Sequence, residues 1–405
     1  MKIVKLIYKA FLFFRKEGII ETIKKIFVRS YEKAKHIPYI ICEKFTCKKE
    51  LNIFKEIARG KDIYILIPCI DWNIPLYQRP HQIANELSNL DNSLVLFISD
   101  QYKYDKFSCY HKINNNLYLF SYRVISKLDD VLLNSNKKIV FNSWMRQAHL
   151  LNNFSFDKLI YEYIDELTLF YYHTPELEKI HFDLMRKADL TVCTAKVLYD
   201  KALPYAKKTL LSENAGDYNF FYNNKNCEIN KLLKDKIAGY SCIIGYYGCL
   251  ANWFDYDLII TVAKEKKDWL FILVGYDFDG SLLKIINSRL KNIIYIPAQP
   301  YKELPSFISA FDIQCIPFII NDITLSTSPV KLFEYMASEK PILTSKLPEC
   351  LKYESVVTYE NSNDFIKKAE FLMKNKDNKQ YISKLHNDAI NNTWSMRVQQ
   401  ILNNI

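Results

Sequence analysis

From residue 62 onward the chain alternates between short apolar bursts and stretches with helical spacing. The bursts at 63–67, 94–98, 138–141, 159–164, 190–193 and 209–211 are rich in β-branched and aromatic residues and read as strands. Between them, 76–87, 176–187 and 195–203 place apolar residues three and four apart, as amphipathic helices do. A second series follows the polar run Asn223-Asn224-Lys225-Asn226. Strands are expected at 242–246, 269–274, 293–296, 313–316, 341–344 and 356–359. Helices are expected at 256–264, 282–290 and 302–310, from Pro329, and from Ser362 onward. Strand–helix alternation of this kind predicts parallel sheets with crossover helices. The fold class expected is α/β, with two doubly wound Rossmann-like domains facing a cleft and a helical extension before them. The expected boundaries are an extension over 1–55, a first domain over 56–225, a second over 226–385, and a final helix over 386–405 that returns to the first domain.

Charge changes this picture at one end only. The net charge is +10, but residues 1–50 hold 13 Lys and Arg against 5 Asp and Glu, while the rest is nearly balanced at 42 against 40. The basic character therefore belongs to the extension, which argues against a nucleic-acid partner for the body. The extension reads as two basic amphipathic helices broken near Gly18. Such helices suit an anionic membrane surface; a helical hairpin packed on the body, or a subunit interface, fits the same pattern. No uncharged apolar run reaches the roughly 18 residues of a spanning helix. The ten cysteines include no C-x-x-C pair and several sit inside apolar runs, as buried thiols in a reducing compartment do. A cytoplasmic, membrane-peripheral location is expected.

Candidate chemistry concentrates in Thr327-Ser328-Pro329-Val330-Lys331-Leu332-Phe333-Glu334. Ser328 is suited to cap a helix and Pro329 to open it. Lys331 and Glu334, three apart, share a face near the helix start. Free amides, hydroxyls and an ammonium there suit an anion, and the carboxylate one turn on suits neutral hydroxyls. A phosphate beside a polyol describes a sugar nucleotide. Upstream, Gly245-Tyr246-Tyr247-Gly248 ends the first strand of the second series, where Gly248 lets backbone approach a phosphate. In the first series, Arg79 and His81 follow the first strand and Asp165 follows the fourth, at edges that face the cleft in such sheets. Arg79 is suited to a phosphate of acceptor or donor, His81 to carrying a proton, and Asp165 to orienting an acceptor hydroxyl or acting as base. Packing or capping roles are equally open to His81 and Asp165.

In combination, Gly245-x-x-Gly248…Trp253-Phe254-Asp255, Lys331-Leu332-Phe333-Glu334-Tyr335-Met336-Ala337 and Lys340-Pro341-Ile342-Leu343 resemble the donor-binding domain of GT-B glycosyltransferases. The resemblance is to the large retaining family that builds bacterial polysaccharides, and it covers roughly residues 240–345. It implies that Glu334 holds the ribose hydroxyls of the donor. Lys331, with the backbone at Thr327 and Ser328, would neutralise the leaving diphosphate, and Gly248 would lie against it. Ser326 stands where the family often has an acidic residue touching the transferred sugar, and would touch it through a hydroxyl. The activity implied is transfer of a sugar from a nucleotide-diphosphate donor to a glycan or lipid-linked glycan, with retention. No cofactor is implied, and no metal is expected. A sugar-nucleotide epimerase of the same fold and an inactive scaffold are the rival readings.

Overall fold

A computed structural model describes residues 37–68, 70–101, 103–166 and 174–405, with side chains from Thr46 onward. Residues 1–36, which carry the expected helix pair around Gly18, lie outside the described residues.

The first domain is built on an eight-stranded sheet, ordered β3-β4-β2-β1-β5-β6-β7-β8. Its strands are β1 (Asp62–Ile67), β2 (Ser93–Ser99), β3 (Tyr110–Lys112), β4 (Leu117–Ser121), β5 (Lys137–Asn142), β6 (Lys158–Tyr163), β7 (Leu190–Cys193) and β8 (Thr209–Leu211). All pairings are parallel except β3 with β4. The central strands are buried along almost their whole length, which is why their sequences read as unbroken apolar bursts. The edge strand β3, with His111 and Lys112 exposed, carries no such burst and has no counterpart in the hydrophobic pattern. The second domain holds six strands, all parallel, ordered β11-β10-β9-β12-β13-β14. These are β9 (Cys242–Tyr247), β10 (Trp269–Gly275), β11 (Ile293–Pro297), β12 (Ile313–Ile316), β13 (Ile342–Ser345) and β14 (Val357–Tyr359).

In each sheet the order reverses once, between β1 and β5 and between β9 and β12. Crevices open outside the carboxyl ends of strands at such points. The two crevices face each other, and the cleft between them is lined from both domains.

Helix boundaries differ from expectation where proline intervenes. The helix expected from residue 76 starts at Arg79, with Pro80 in its first turn and Gln78 extended before it. Residues 76–78 are thereby released to line the cleft. The segment 302–310 is split into a 3₁₀ turn, Tyr301–Glu303, and a short helix, Leu304–Ile308, again with proline at its start. In the extension, one helix runs Ile37–Ala58, across the boundary expected at 55. Leu51, Phe54 and Ala58 form its buried stripe, and Phe54 packs edge-on against Tyr118 and Phe120. This part of the extension is thus attached to the first sheet.

The chain passes between domains twice. After β8 it crosses ahead of the boundary expected at 225, since Phe221 already lies in the second core. It returns through the helix Trp394–Leu402, whose Trp394, Val398 and Ile401 are at most 2% exposed in a core shared with Ile83 and Leu87. Among the described residues no helix is long and apolar enough to cross a membrane.

Candidate functional site

The helix Val330–Ala337 is held by its own apolar side. Leu332, Phe333, Tyr335, Met336 and Ala337 are almost fully buried, and Gln314 on β12 donates to the Tyr335 carbonyl at 3.1 Å. Burial of that side fixes where the first turn points. The helix starts one residue later than expected, at Val330, with Pro329 in the cap position and no side-chain cap. Ser328 does not cap it. Its hydroxyl instead accepts from the Asn214 amide at 3.1 Å, and its carbonyl accepts from Asn214 Nδ2 at 2.6 Å. Asn214 lies on the crossover from the first domain, so the serine joins the domains.

Helix geometry leaves the first amides without intrahelical acceptors. Those of Ser328, Val330 and Lys331 have none among the described residues, whereas the Thr327 amide, expected to help, bonds Thr324 O at 3.2 Å. The Lys331 ammonium has no carboxylate or carbonyl partner among the described residues. It lies 5.2 Å from the Tyr246 ring centre and 5.1 Å from that of Phe318. Burial lowers its pKa to about 8. Gly248, at φ +133°, sits against this side chain; a Cβ there would come within 2.7 Å of Lys331 Cε. An unpaired cation, free amides and a bare stretch of backbone converge at one point. That is what an anion site requires.

Glu334, 2% exposed, lies one turn further in. One carboxylate oxygen accepts a very short bond from Tyr247 Oη and the other accepts from Tyr301 Oη at 2.8 Å. Burial raises its pKa to about 7 against the opposing pull of those hydroxyls and Lys331. Each carboxylate oxygen has a second lone pair. Tyr301 also spans the cleft, stacking on Tyr77 with ring centres 4.6 Å apart and accepting from Gln82 Nε2 at 3.0 Å. Neither tyrosine was expected at the site, although both stand inside motif runs, in Gly245–Gly248 and just before Pro305.

From the first domain, Asp165 reaches the cleft at the end of β6. Its carboxylate keeps solvent access and has no partner among the described residues; the protein packed around it raises its pKa to about 6 by desolvation. Three other expected residues are placed differently. Arg79 lines the cleft but is 2% exposed, and its charge is already used. Its Nε donates to Glu162 at 2.8 Å and its Nη1 to the carbonyl of Glu213 at 3.1 Å; only Nη2 lacks an acceptor. The expected contact with a substrate phosphate therefore gives way to a buried ion pair that ties β6 to the crossover. His81 is fully buried between Trp72, Tyr77 and Phe97. Its Nδ1 accepts from the Gln78 amide at 3.1 Å and its Nε2 meets the Trp72 carbonyl at 2.9 Å, while burial depresses its pKa to about 4. With both nitrogens engaged and no route to the cleft, it caps its helix and carries no proton. Ser326, 3% exposed, turns its hydroxyl back to the Asp322 carbonyl at 2.9 Å and does not line the cleft, in place of the expected contact with a sugar.

Because Arg79 and Glu162 form a buried pair, removing one partner strands the other. Arg79→Ala should cost about 3–5 kcal/mol of stability in urea denaturation. A loss under about 1 kcal/mol would show that the pair is not held as described.

The cleft encloses about 460 Å³. Among the described residues no group of three or more His, Cys, Asp or Glu side chains is placed to hold a metal ion.

Known proteins resemble this chain in sequence and in fold. Residues 243–375 match the family model Glycosyl transferases group 1. A Bacillus subtilis (strain 168) protein, provisionally assigned as teichuronic acid biosynthesis glycosyltransferase TuaH, is 28% identical over 232 residues, spanning 54% of this chain and 57% of that relative. Among solved structures, Anabaena Alr3699/HepE in complex with UDP and glucose superposes with a TM-score of 0.57 at 11% identity, covering 85% of this chain and 99% of that one. Sucrose-phosphate synthase from Thermosynechococcus elongatus gives 0.60 at 10%, covering 84% and 97%. The chain thus carries a Glycosyl transferases group 1 domain over residues 243–375, set in the two-domain architecture of the GT-B glycosyltransferases.

Proposed function

We propose that the protein is a glycosyltransferase that moves a sugar from a nucleoside-diphosphate donor to a hydroxyl of a glycan or lipid-linked glycan. The observation that carries this reading is the Lys331 ammonium, set against Gly248 and three amides on one wall of a cleft whose other wall presents the carboxylate of Asp165; ammonium, amides and carboxylate have no hydrogen-bond or ion-pair partner among the described residues. The Anabaena protein of similar fold, solved with UDP-glucose, supports a sugar nucleotide as the ligand class.

The diphosphate lies against the start of the helix Val330–Ala337, and the ribose hydroxyls use the remaining lone pairs of Glu334. As the bond from the anomeric carbon to the diphosphate oxygen breaks, its electron pair stays on the diphosphate. Lys331 and the amides of Ser328, Val330 and Lys331 are already aimed at that growing charge, so no reorganisation is needed when it appears. Asp165 accepts a hydrogen bond from the acceptor hydroxyl and orients it. The hydroxyl oxygen bonds to the anomeric carbon, and its proton passes to the departing diphosphate. Attack on the face from which the diphosphate leaves gives retention. The counter-charge comes from the protein, so the chemistry needs neither metal nor cofactor. The basic residues 1–50 are suited to hold the protein on anionic lipid at the inner face of a membrane. Sedimentation of the full chain with anionic vesicles, against a chain lacking residues 1–36, tests that attachment.

The charged groups set a narrow pH range. Asp165 and Glu334 must be ionised to accept hydrogen bonds; the protein packed around Asp165 places its pKa near 6, and burial places that of Glu334 near 7. Lys331 must be protonated, and burial places its pKa near 8. The profile of kcat/KM is expected to rise through pH 6–7 and fall above 8. A rate flat from pH 6 to 9 would dissociate these three groups from the reaction. The reading itself is tested by calorimetry with UDP, GDP and dTDP, followed by mass spectrometry of products from a donor panel. Binding of one nucleotide, with sugar transfer only when acceptor is present, is expected. If none of the three binds, the reading fails.

A further inference from the structure

Away from the cleft, the helix Ile37–Ala58 brings together two cysteines that are far apart in sequence. Cys47 precedes Leu51, Phe54 and Ala58 at helical spacing, and all four are buried in the core of the first sheet. Cys109 belongs to the same core and stands just before β3. It is fully buried, and its carbonyl accepts from the Ser121 amide at 3.0 Å, which ties it to the end of β4. Tyr110, the next residue, has its ring centre 5.2 Å from that of Phe54. Each cysteine is thus held in place by contacts that do not involve the other.

The two sulfurs lie 2.8 Å apart, although 62 positions separate them along the chain. Carbon atoms, smaller than sulfur, already settle about 3.5–4.0 Å apart when no bond joins them. A disulfide bond measures about 2.05 Å, so the sulfurs stand inside non-bonded contact and about 0.8 Å short of a bond. Side-chain rotation closes a gap of that size. Cys109 has no exposed surface and Cys47 is only 9% exposed, so the site admits a small oxidant and excludes a bulky one.

We propose that Cys47 and Cys109 are a redox pair, which a hydroperoxide converts to a disulfide that staples the helix Ile37–Ala58 to the edge of the first sheet. The Cys47 thiolate attacks one oxygen of hydrogen peroxide; the O–O bond breaks, hydroxide leaves, and Cys47 becomes a sulfenic acid. The Cys109 sulfur then bonds to the Cys47 sulfur, and the sulfenic oxygen departs as water with the thiol proton. Two thiols lose two hydrogens and two electrons, and the peroxide becomes two waters. In a reducing compartment the pair stays as thiols, which makes the staple conditional on oxidant. The basic segment 1–36 joins the body through this helix, so the staple fixes its base.

Mass spectrometry and thermal unfolding of the full chain test the pair. The reduced protein is treated with hydrogen peroxide, catalase ends the reaction, and the remaining thiols are alkylated after denaturation. Peptides joined through Cys47 and Cys109, two hydrogens lighter than the separate pair and parted by dithiothreitol, are expected. The oxidised protein is expected to unfold about 5–15 °C higher than the reduced one, since the bond removes loop entropy from the unfolded chain. In Cys47→Ser both the link and the rise should vanish; Cys109→Ala serves if that variant does not fold. Recovery of both cysteines alkylated, or of Cys47 as sulfinic acid beside an alkylated Cys109, overturns the proposal, as does a link from either to a different cysteine. A link that leaves the unfolding temperature unchanged overturns the staple.

Discussion

Replacing Lys331 by Met should lower kcat/KM about 10²–10³-fold while leaving the protein at least as stable as before. The two effects have one cause. In the free protein the ammonium is desolvated and faces two aromatic rings, with no carboxylate or carbonyl partner among the described residues. Burial disfavours such a charge, so the folded state gains nothing from it that an isosteric thioether would lose. Helix propensity is nearly the same for the two residues. In the transition state of the proposed transfer the same charge meets a departing diphosphate, where loss of a fixed donor costs about 3–4 kcal/mol. Thermal unfolding and initial rates, measured on the same preparation, separate the two. A variant that unfolds early would mean that Lys331 holds the fold together; one that turns over normally would mean that it does not meet the donor.

The second large effect is on folding. Gly275→Ala should cost more than about 4 kcal/mol, or leave no folded protein at all. Gly275 ends β10 beside Gly248, and a Cβ there would lie 1.8 Å from the Gly248 carbonyl oxygen. That oxygen cannot step aside, because the Gly248 amide is bonded to Val274 O at 2.9 Å and Leu250 is bonded to Tyr276 on the next turn of loop. The strain thus falls on the Gly248 backbone that lies against Lys331. Gly280 provides the contrast. Its φ of +83° disfavours alanine, but nothing lies within 4 Å of the added carbon. Gly280→Ala is expected to cost only about 1 kcal/mol, the strain of φ alone. Similar urea midpoints for the two variants would show that β9 and β10 approach less closely than described.

The strands were legible because a parallel sheet covered on both faces writes itself as apolar bursts. All twelve bursts lie on strands, and β3 and β4 are the two the pattern did not announce. Helix starts were less legible near Pro80 and Pro305, where proline moved the first turn. At the site, Lys331, Glu334 and Gly248 could be singled out because helix spacing and a bare glycine constrain where they point. Arg79, His81 and Ser326 could not be assigned in the same way. Their roles depend on partners far along the chain, Glu162 and the Glu213 carbonyl for Arg79, or on the local turn that recaptures a hydroxyl, as Asp322 O does for Ser326. Tyr301 was overlooked for the same reason: its contacts with Gln82 and Tyr77 come from the other domain.

The helix that closes the first core has a consequence for biosynthesis. Domains ordinarily fold in the order in which the ribosome delivers them. Here Ile83 and Leu87 keep an uncovered face until Trp394, Val398 and Ile401 have been translated. Between the end of β8 and that helix lie some 180 residues, or roughly 10–40 s of elongation. For that interval the nascent first domain offers a sticky surface to chaperones, while the second domain, though made later, can complete its own core first.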